Sequence, residues 1–169
     1  MFDAREIIEY PYCGYVIDIS LEYVEESIQY YVKKRGLQLE PDFQRTHVWN
    51  NVQRSKFIEH VLRGGGKEKP IITNQNDREF VLVDGLQRIT AIRMFLANKF
   101  RAFGYFYNEY LPNSISQVIG IKFGILKLKT RAEILQWYID TNDGGVIHTD
   151  DEINKVREML KIELEQTEV

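Results

Sequence analysis

The run Val81-Leu82-Val83-Asp84-Gly85-Leu86-Gln87-Arg88-Ile89-Thr90-Ala91-Ile92 constrains the fold more than any other part of the chain. A β-branched apolar stretch stops abruptly at Asp84-Gly85, and apolar residues at helical spacing follow at once. The pattern predicts a strand, a tight turn and a helix N-terminus in direct succession. A carboxylate, a glycine, an amide and a guanidinium are gathered at that junction. Unpaired first-turn amides and the positive end of the helix dipole converge there, so the segment reads as a phosphate or nucleotide pocket. Gly85 lets the backbone approach a ligand closely. The same residues would also make an ordinary Asp-Gly turn with Arg88 merely solvated, so the reading needs a second cluster.

That cluster lies upstream, in Pro41-Asp42-Phe43-Gln44-Arg45-Thr46-His47-Val48-Trp49 followed by Gln53-Arg54-Ser55-Lys56-Phe57-Ile58. A loop that concentrates Arg, Gln, His and Trp before a helix binds more often than it packs. Arg45 is the charge to aim at a phosphate, because a guanidinium grips phosphate oxygens bidentately. A structural ion pair for Arg45 and a core position for Trp49 are the plainer alternatives.

The rest of the chain reads as mixed α+β with a helical C-terminal part. Strands are expected at Tyr15–Ile19, Pro70–Thr73, Glu79–Val83, Arg101–Tyr107 and Lys122–Leu128, with a turn at Asn76-Asp77-Arg78. Helices are expected after a Ser20 cap, from Asn51 to Leu62 and from Gln87 to Asn98. Gly64-Gly65-Gly66 reads as a flexible link. Capping boxes at Thr130–Glu133 and Thr149–Glu152 open two more helices, joined by Asn142-Asp143-Gly144-Gly145. Residues 1–129 then form the main body, and residues 130–169 a helical hairpin packed on it as one structural unit. With 169 residues and 44% hydrophobic content, such a chain buries a core without disulfides. The single cysteine, Cys13, excludes an intramolecular disulfide and a cysteine-rich zinc site. The N-terminal residues lack a signal-peptide pattern and no apolar stretch spans a bilayer, so a cytoplasmic protein without membrane contact is expected.

Asp84-Gly85-Leu86-Gln87-Arg88 resembles the DGQQR signature, and Phe43-Gln44-Arg45 with Val48-Trp49 resembles its companion FQR…W block. Tyr138–Gly145 followed by His148–Glu152 resembles a third block, N-x-G-G … L-[ST]-x-x-E. In this order they are similar to the DGQQR domain in the first half of GmrSD- and SspE-like phage-restriction proteins, a domain placed in the ParB/sulfiredoxin superfamily. The resemblance implies a ParB/sulfiredoxin-like small mixed sheet with flanking helices. It also implies that a nucleoside triphosphate, of unspecified base, is held at the Gly-x-x-Arg turn. Gly85, Gln87 and Arg88 fall at the matching positions, with Arg45 as second phosphate ligand and Gln44 and Thr90 completing the set. Asp84 would hold Mg²⁺ or position water, and Asp84 with Gln87 would support weak NTP hydrolysis. Leu86 stands where the signature has its first Gln, which removes one polar group from the set. The His-Asn-His nuclease half of those proteins is not expected within these 169 residues, since His47, His60 and His148 do not form its motif.

Two other classes of function compete. Arg45, Arg54, Lys56, Arg63, Lys67 and Lys69 would form a basic stripe for DNA, as a nucleic-acid binder or ParB-like nuclease. Against this, 22 basic and 25 acidic residues leave a net charge of −3, where a non-specific DNA binder normally shows a basic excess. The last helix, with Ile153, Val156, Leu160 and Leu164, would dock a protein effector if the chain is a regulatory module, although packing on its own core is the simpler outcome.

Overall fold

The structure is a computed structural model that describes residues 14–44, 49–111, 114–115, 119–142 and 150–167. Four strands form one mixed sheet: β1 (Tyr15–Ser20), β2 (Ile71–Gln75), β3 (Phe80–Asp84) and β4 (Gly120–Leu126), in the order β1-β4-β2-β3. β1 and β4 pair antiparallel, β4 and β2 parallel, and β2 and β3 form an antiparallel hairpin. The five α-helices among the described residues are α1 (Val24–Arg35), α2 (Asn51–Leu62), α3 (Leu86–Leu96), α4 (Arg131–Asn142) and α5 (Asp150–Thr167).

The alternation along β3 explains the layering. Phe80 and Leu82 join a core with Ile28, Ile58, Ile92 and Phe95 from α1, α2 and α3. Val81 and Val83 join a second core with Leu135, Tyr138, Ile153 and Val156 from α4 and α5. Side chains in a strand alternate between faces, so a continuous apolar run marks a strand covered on both sides. The C-terminal helices thus share an apolar cluster with the central sheet. Ile153 and Val156 are buried there, whereas Leu164 is exposed.

The hairpin turn forms because Asn76 Oδ1 accepts from Arg78 N and Glu79 N at 2.9 and 2.8 Å. Helix α2 opens with a full capping box between Asn50 and Gln53. At α4, Glu133 Oε2 accepts from Thr130 N and Thr130 Oγ1 accepts from Glu133 N, both at 3.2 Å. The Thr149 box lies outside the described residues.

Four sequence expectations need correction. Arg101–Tyr107 is not a strand. Its alternating aromatics mimic strand periodicity, but Phe103 and Gly104 adopt φ of 49° and 84°, leaving only an isolated Ala102–Tyr105 bridge before a 3₁₀ turn at Tyr107–Glu109. Ser20 makes no side-chain cap, because a 3₁₀ turn at Leu21–Tyr23 comes between it and α1. The Gly64–Gly66 segment is not a flexible link. It leads into a 3₁₀ turn at Gly65–Lys67 with Gly66 buried, where an added Cβ would come within 2.6 Å of Gly120 O. The last strand begins and ends two residues earlier than expected, at Gly120–Leu126.

Charged pairs fasten the outer layer. Arg93 of α3 donates from Nε and Nη2 to the Glu25 carboxylate of α1 at 2.5 and 3.1 Å. Partial burial pushes the Glu25 carboxyl up, but hydrogen bonds from Arg93 and Gln29 outweigh it and hold the group below its ordinary 4.5. A lowered native pKa stabilises the fold above the unfolded value, and that contribution disappears as pH falls through the native value. Glu25→Gln should therefore cost about 0.5–1 kcal/mol at neutral pH. The difference from wild type should close in urea titrations run below the ordinary carboxylate range, and an unchanged gap in acid would refute the assignment.

Candidate functional site

Three separated parts of the chain meet in one cleft of about 820 Å³: Gln44 and Trp49, the β3–α3 turn, and Tyr138, Thr141 and Asn142 of α4. β3 delivers Asp84 to its C-terminal end, and Gly85 reverses the backbone at φ 108° so that α3 begins at Leu86. Gly85 is the N-cap residue and offers no capping side chain. The first-turn N–H groups of α3 therefore receive no oxygen from the cap, which suits this helix end to an anion.

Arg88 donates from Nη2 to Asp84 Oδ2 and from Nη1 to Lys69 O at 3.3 Å. Its side chain is 11% exposed and that of Asp84 38%, so the guanidinium is held at the cleft wall with its carboxylate partner on the wetter side. A guanidinium has five donors, and these two hydrogen bonds leave others for an oxyanion. Asp84 is already neutralised by Arg88, so a cation there would compete with that pair. Among the described residues no group of three or more His, Cys, Asp or Glu converges. Asp84 is therefore the one carboxylate that this turn would offer a cation.

The two glutamines act as fasteners. Gln44 Nε2 donates to Leu82 O and Val83 O at 3.1 and 2.9 Å, and Gln87 Oε1 accepts from Trp49 N at 3.0 Å. Together they pin both ends of the intervening loop onto β3 and α3. Arg45, with residues 46–48, lies outside the described residues. Trp49 is a cleft wall rather than a core anchor: it is half-buried and its ring lies tilted 5.5 Å from that of Phe57, which also lines the cleft. Leu86 lines the cleft and packs against the first core, an apolar use for a position where the resembling signature is polar. Thr90 sits a turn further along α3 and does not line the cleft.

Among the described residues of the expected basic stripe, the cations take different partners. Lys56 and Lys69 line the cleft, but Lys67 pairs with Asp18 at 2.5 Å, Arg63 lies over Phe103, and Arg54 binds Asn51. Sequence reasoning missed His60, which meets Glu68 at 3.0 Å beside the cleft, and assigned no role to Thr141 or Asn142. Nothing local marks His60. Its place follows from α2 and the 3₁₀ turn after it meeting beside the β3–α3 junction.

The fold and site define an α+β domain in which a strand–glycine–helix turn, backed by an Asp–Arg pair and two loop-pinning glutamines, faces a cleft of mixed polar and apolar lining. The family model for the N-terminal domain of the GmrSD restriction endonuclease matches residues 28–162, and the chain belongs to that family. Its role is accordingly related to restriction endonucleases and nucleic acid. No match is found among curated proteins or solved structures. Among the described residues, no helix is long and apolar enough to cross a membrane.

Proposed function

We propose that the cleft binds a nucleoside triphosphate, with the phosphate chain at the N-terminus of α3. The observation that carries this reading is the convergence of Gln44 and Trp49, Asp84–Arg88 and Tyr138–Asn142 on one cleft with an uncapped helix start. Arg88 and Lys69 supply positive charge beside that helix end, and Lys56 stands on the same wall. Preorganised donors aimed at phosphoryl oxygens are what such binding requires. The relation to ParB and sulfiredoxin is part of the proposal, since the Gly-x-x-Arg turn is its shared element. Hydrolysis is the narrower extension: Asp84 would hold Mg²⁺, and Gln87, its amide oxygen taken by Trp49, would present Nε2 to a phosphate oxygen or water.

A ligand that binds only the native state stabilises it by about 2.7 kcal/mol at a hundred times its Kd. A thermal-shift screen of all NTPs with and without Mg²⁺ should raise the wild-type midpoint for at least one nucleotide. Arg88→Ala, whose departing guanidinium leaves a partly solvated Asp84, should fold and lose that rise. Asp84→Asn should retain the metal-free rise and lose any Mg²⁺ increment. No rise with any nucleotide, or a normal rise in folded Arg88→Ala, would overturn the assignment.

A further inference from the structure

A second groove, of about 580 Å³, lies between α2 and the segment that follows α3, and it is lined by Val52, Ser55 and Glu59 on one side and Phe100, Arg101 and Phe106 on the other. The segment is fixed along the helix: Ser55 Oγ donates to Arg101 O, and Phe103 N donates to Glu59 Oε1 at 2.9 Å. Phe103 is then held at φ 49° and left 41% exposed. A bulky residue in the left-handed region is a conformational cost, and an exposed ring recovers little of it by burial. Such an outlier points to a use for the ring at the surface.

What surrounds it names the use. The Arg63 guanidinium lies 4.8 Å over the Phe103 ring, and the Arg101 guanidinium 4.5 Å over Phe106. Tyr105 is 56% exposed against Tyr110. The neighbouring acids are engaged internally, Glu59 by Phe103 N and Glu109 by Phe106 N at 2.7 Å. Lys56, Arg63, Lys99 and Arg101 are exposed, and among the described residues none has an acidic partner. A chain of net charge −3 thus sets exposed cations without acidic partners beside the exposed rings of Phe103 and Tyr105. Cations interleaved with aromatic rings suit a ligand that carries both phosphates and flat unstacked bases. A duplex hides its base faces, so the rings favour a single strand.

We propose that this groove, together with the exposed segment Phe103–Tyr105 beside it, binds single-stranded nucleic acid, with bases stacking on the Phe106–Arg101 pair of the groove and on Phe103 and Tyr105 outside it, and phosphates on Lys56 and Lys99. Lys56 lines both this groove and the α3 cleft, so a bound strand would lead toward that cleft. The groove stands on its own observations, whatever the cleft binds.

The test is fluorescence anisotropy of the full chain with a short labelled oligodeoxythymidylate and with a duplex of equal length. The wild type should bind the single strand more tightly, with affinity falling steeply as salt rises. Lys99→Gln with Arg101→Gln should weaken binding and flatten the log–log salt slope by about 0.7 for each phosphate that is no longer neutralised. Phe103→Gly should weaken it about tenfold without lowering the unfolding temperature, because glycine accepts the left-handed conformation. Tyr105→Ala, at an exposed position, repeats the stacking test if the glycine variant is destabilised. Absence of single-strand binding by the wild type at low salt, preference for duplex, or unchanged binding by the folded aromatic variants would overturn the proposal.

Discussion

Asn74→Ala should lower stability by about 3 kcal/mol, seen as a fall of about 6–12 °C in the unfolding midpoint. Asn74 is fully buried in β2, and its side chain behaves as an added piece of strand. Oδ1 accepts from Leu128 N at 2.8 Å and Nδ2 donates to Leu128 O at 3.2 Å. Leu128 lies beyond the end of β4, just before α4. The alanine variant leaves a buried Leu128 N–H without its acceptor, and an unmet buried donor costs far more than the net worth of the bond. Leu128 O keeps a donor, Asn76 Nδ2 at 3.0 Å, so the loss concentrates on the N–H. Asn74→Asp supplies a sharper test. A carboxylate there would accept from Leu128 N but face Leu128 O without a proton, whereas a protonated carboxyl would imitate the amide. Burial would raise its native pKa, so its penalty should be smallest in acid and grow as pH rises above the ordinary carboxylate range. A penalty independent of pH would show that shape rather than hydrogen bonding is the role of Asn74. Because this junction seats α4, which brings Tyr138, Thr141 and Asn142 to the cleft, both variants should also weaken any ligand of that site.

The β3–turn–α3 unit was legible because its determinants are local: a β-branched run, a glycine that tolerates positive φ, and apolar residues at helical spacing. The turn Asn76-Asp77-Arg78 and the Thr130–Glu133 cap were legible for the same reason. Long-range consequences were not. Gln44 and Gln87 read as ligand-binding groups, and the fold also gives the Gln44 amide nitrogen to Leu82 O and Val83 O and the Gln87 amide oxygen to Trp49 N, partners that only the packed chain brings near. Lys67 and Arg63 read as parts of one stripe, and the fold sent them to Asp18 and Phe103. Phe103, Tyr105 and Tyr107 carried a strand's periodicity, but a backbone at positive φ ended it. Period-two patterning states which residues alternate, and leaves open whether a partner strand exists to receive them.

Gly85→Ala should cost about 2–4 kcal/mol, the other large single effect expected in this fold. Sequence alone assigns Gly85 to a close approach of ligand and backbone, and the geometry adds a more demanding reason. Its φ of 108° lies where L side chains are strained whatever the space around them. A Cβ would also meet Ile71 at 3.0 Å to Cγ1 and 3.2 Å to Cα and Cγ2, on the neighbouring β2. The two contributions separate in a double-mutant cycle with Ile71→Ala, which removes both γ-carbons and leaves the backbone. If the backbone term dominates, most of the Gly85→Ala penalty should persist in the Ile71→Ala background. If the penalty vanishes there, crowding against β2 is the cause and the φ argument fails. The outcome bears on the site, because the turn sets where α3 starts and hence where its first amides and Arg88 stand. A dominant backbone term means that Gly85→Ala would relax by moving the helix start. Anion binding by the folded fraction should then fall along with stability, even though no ligand-contacting side chain has been removed.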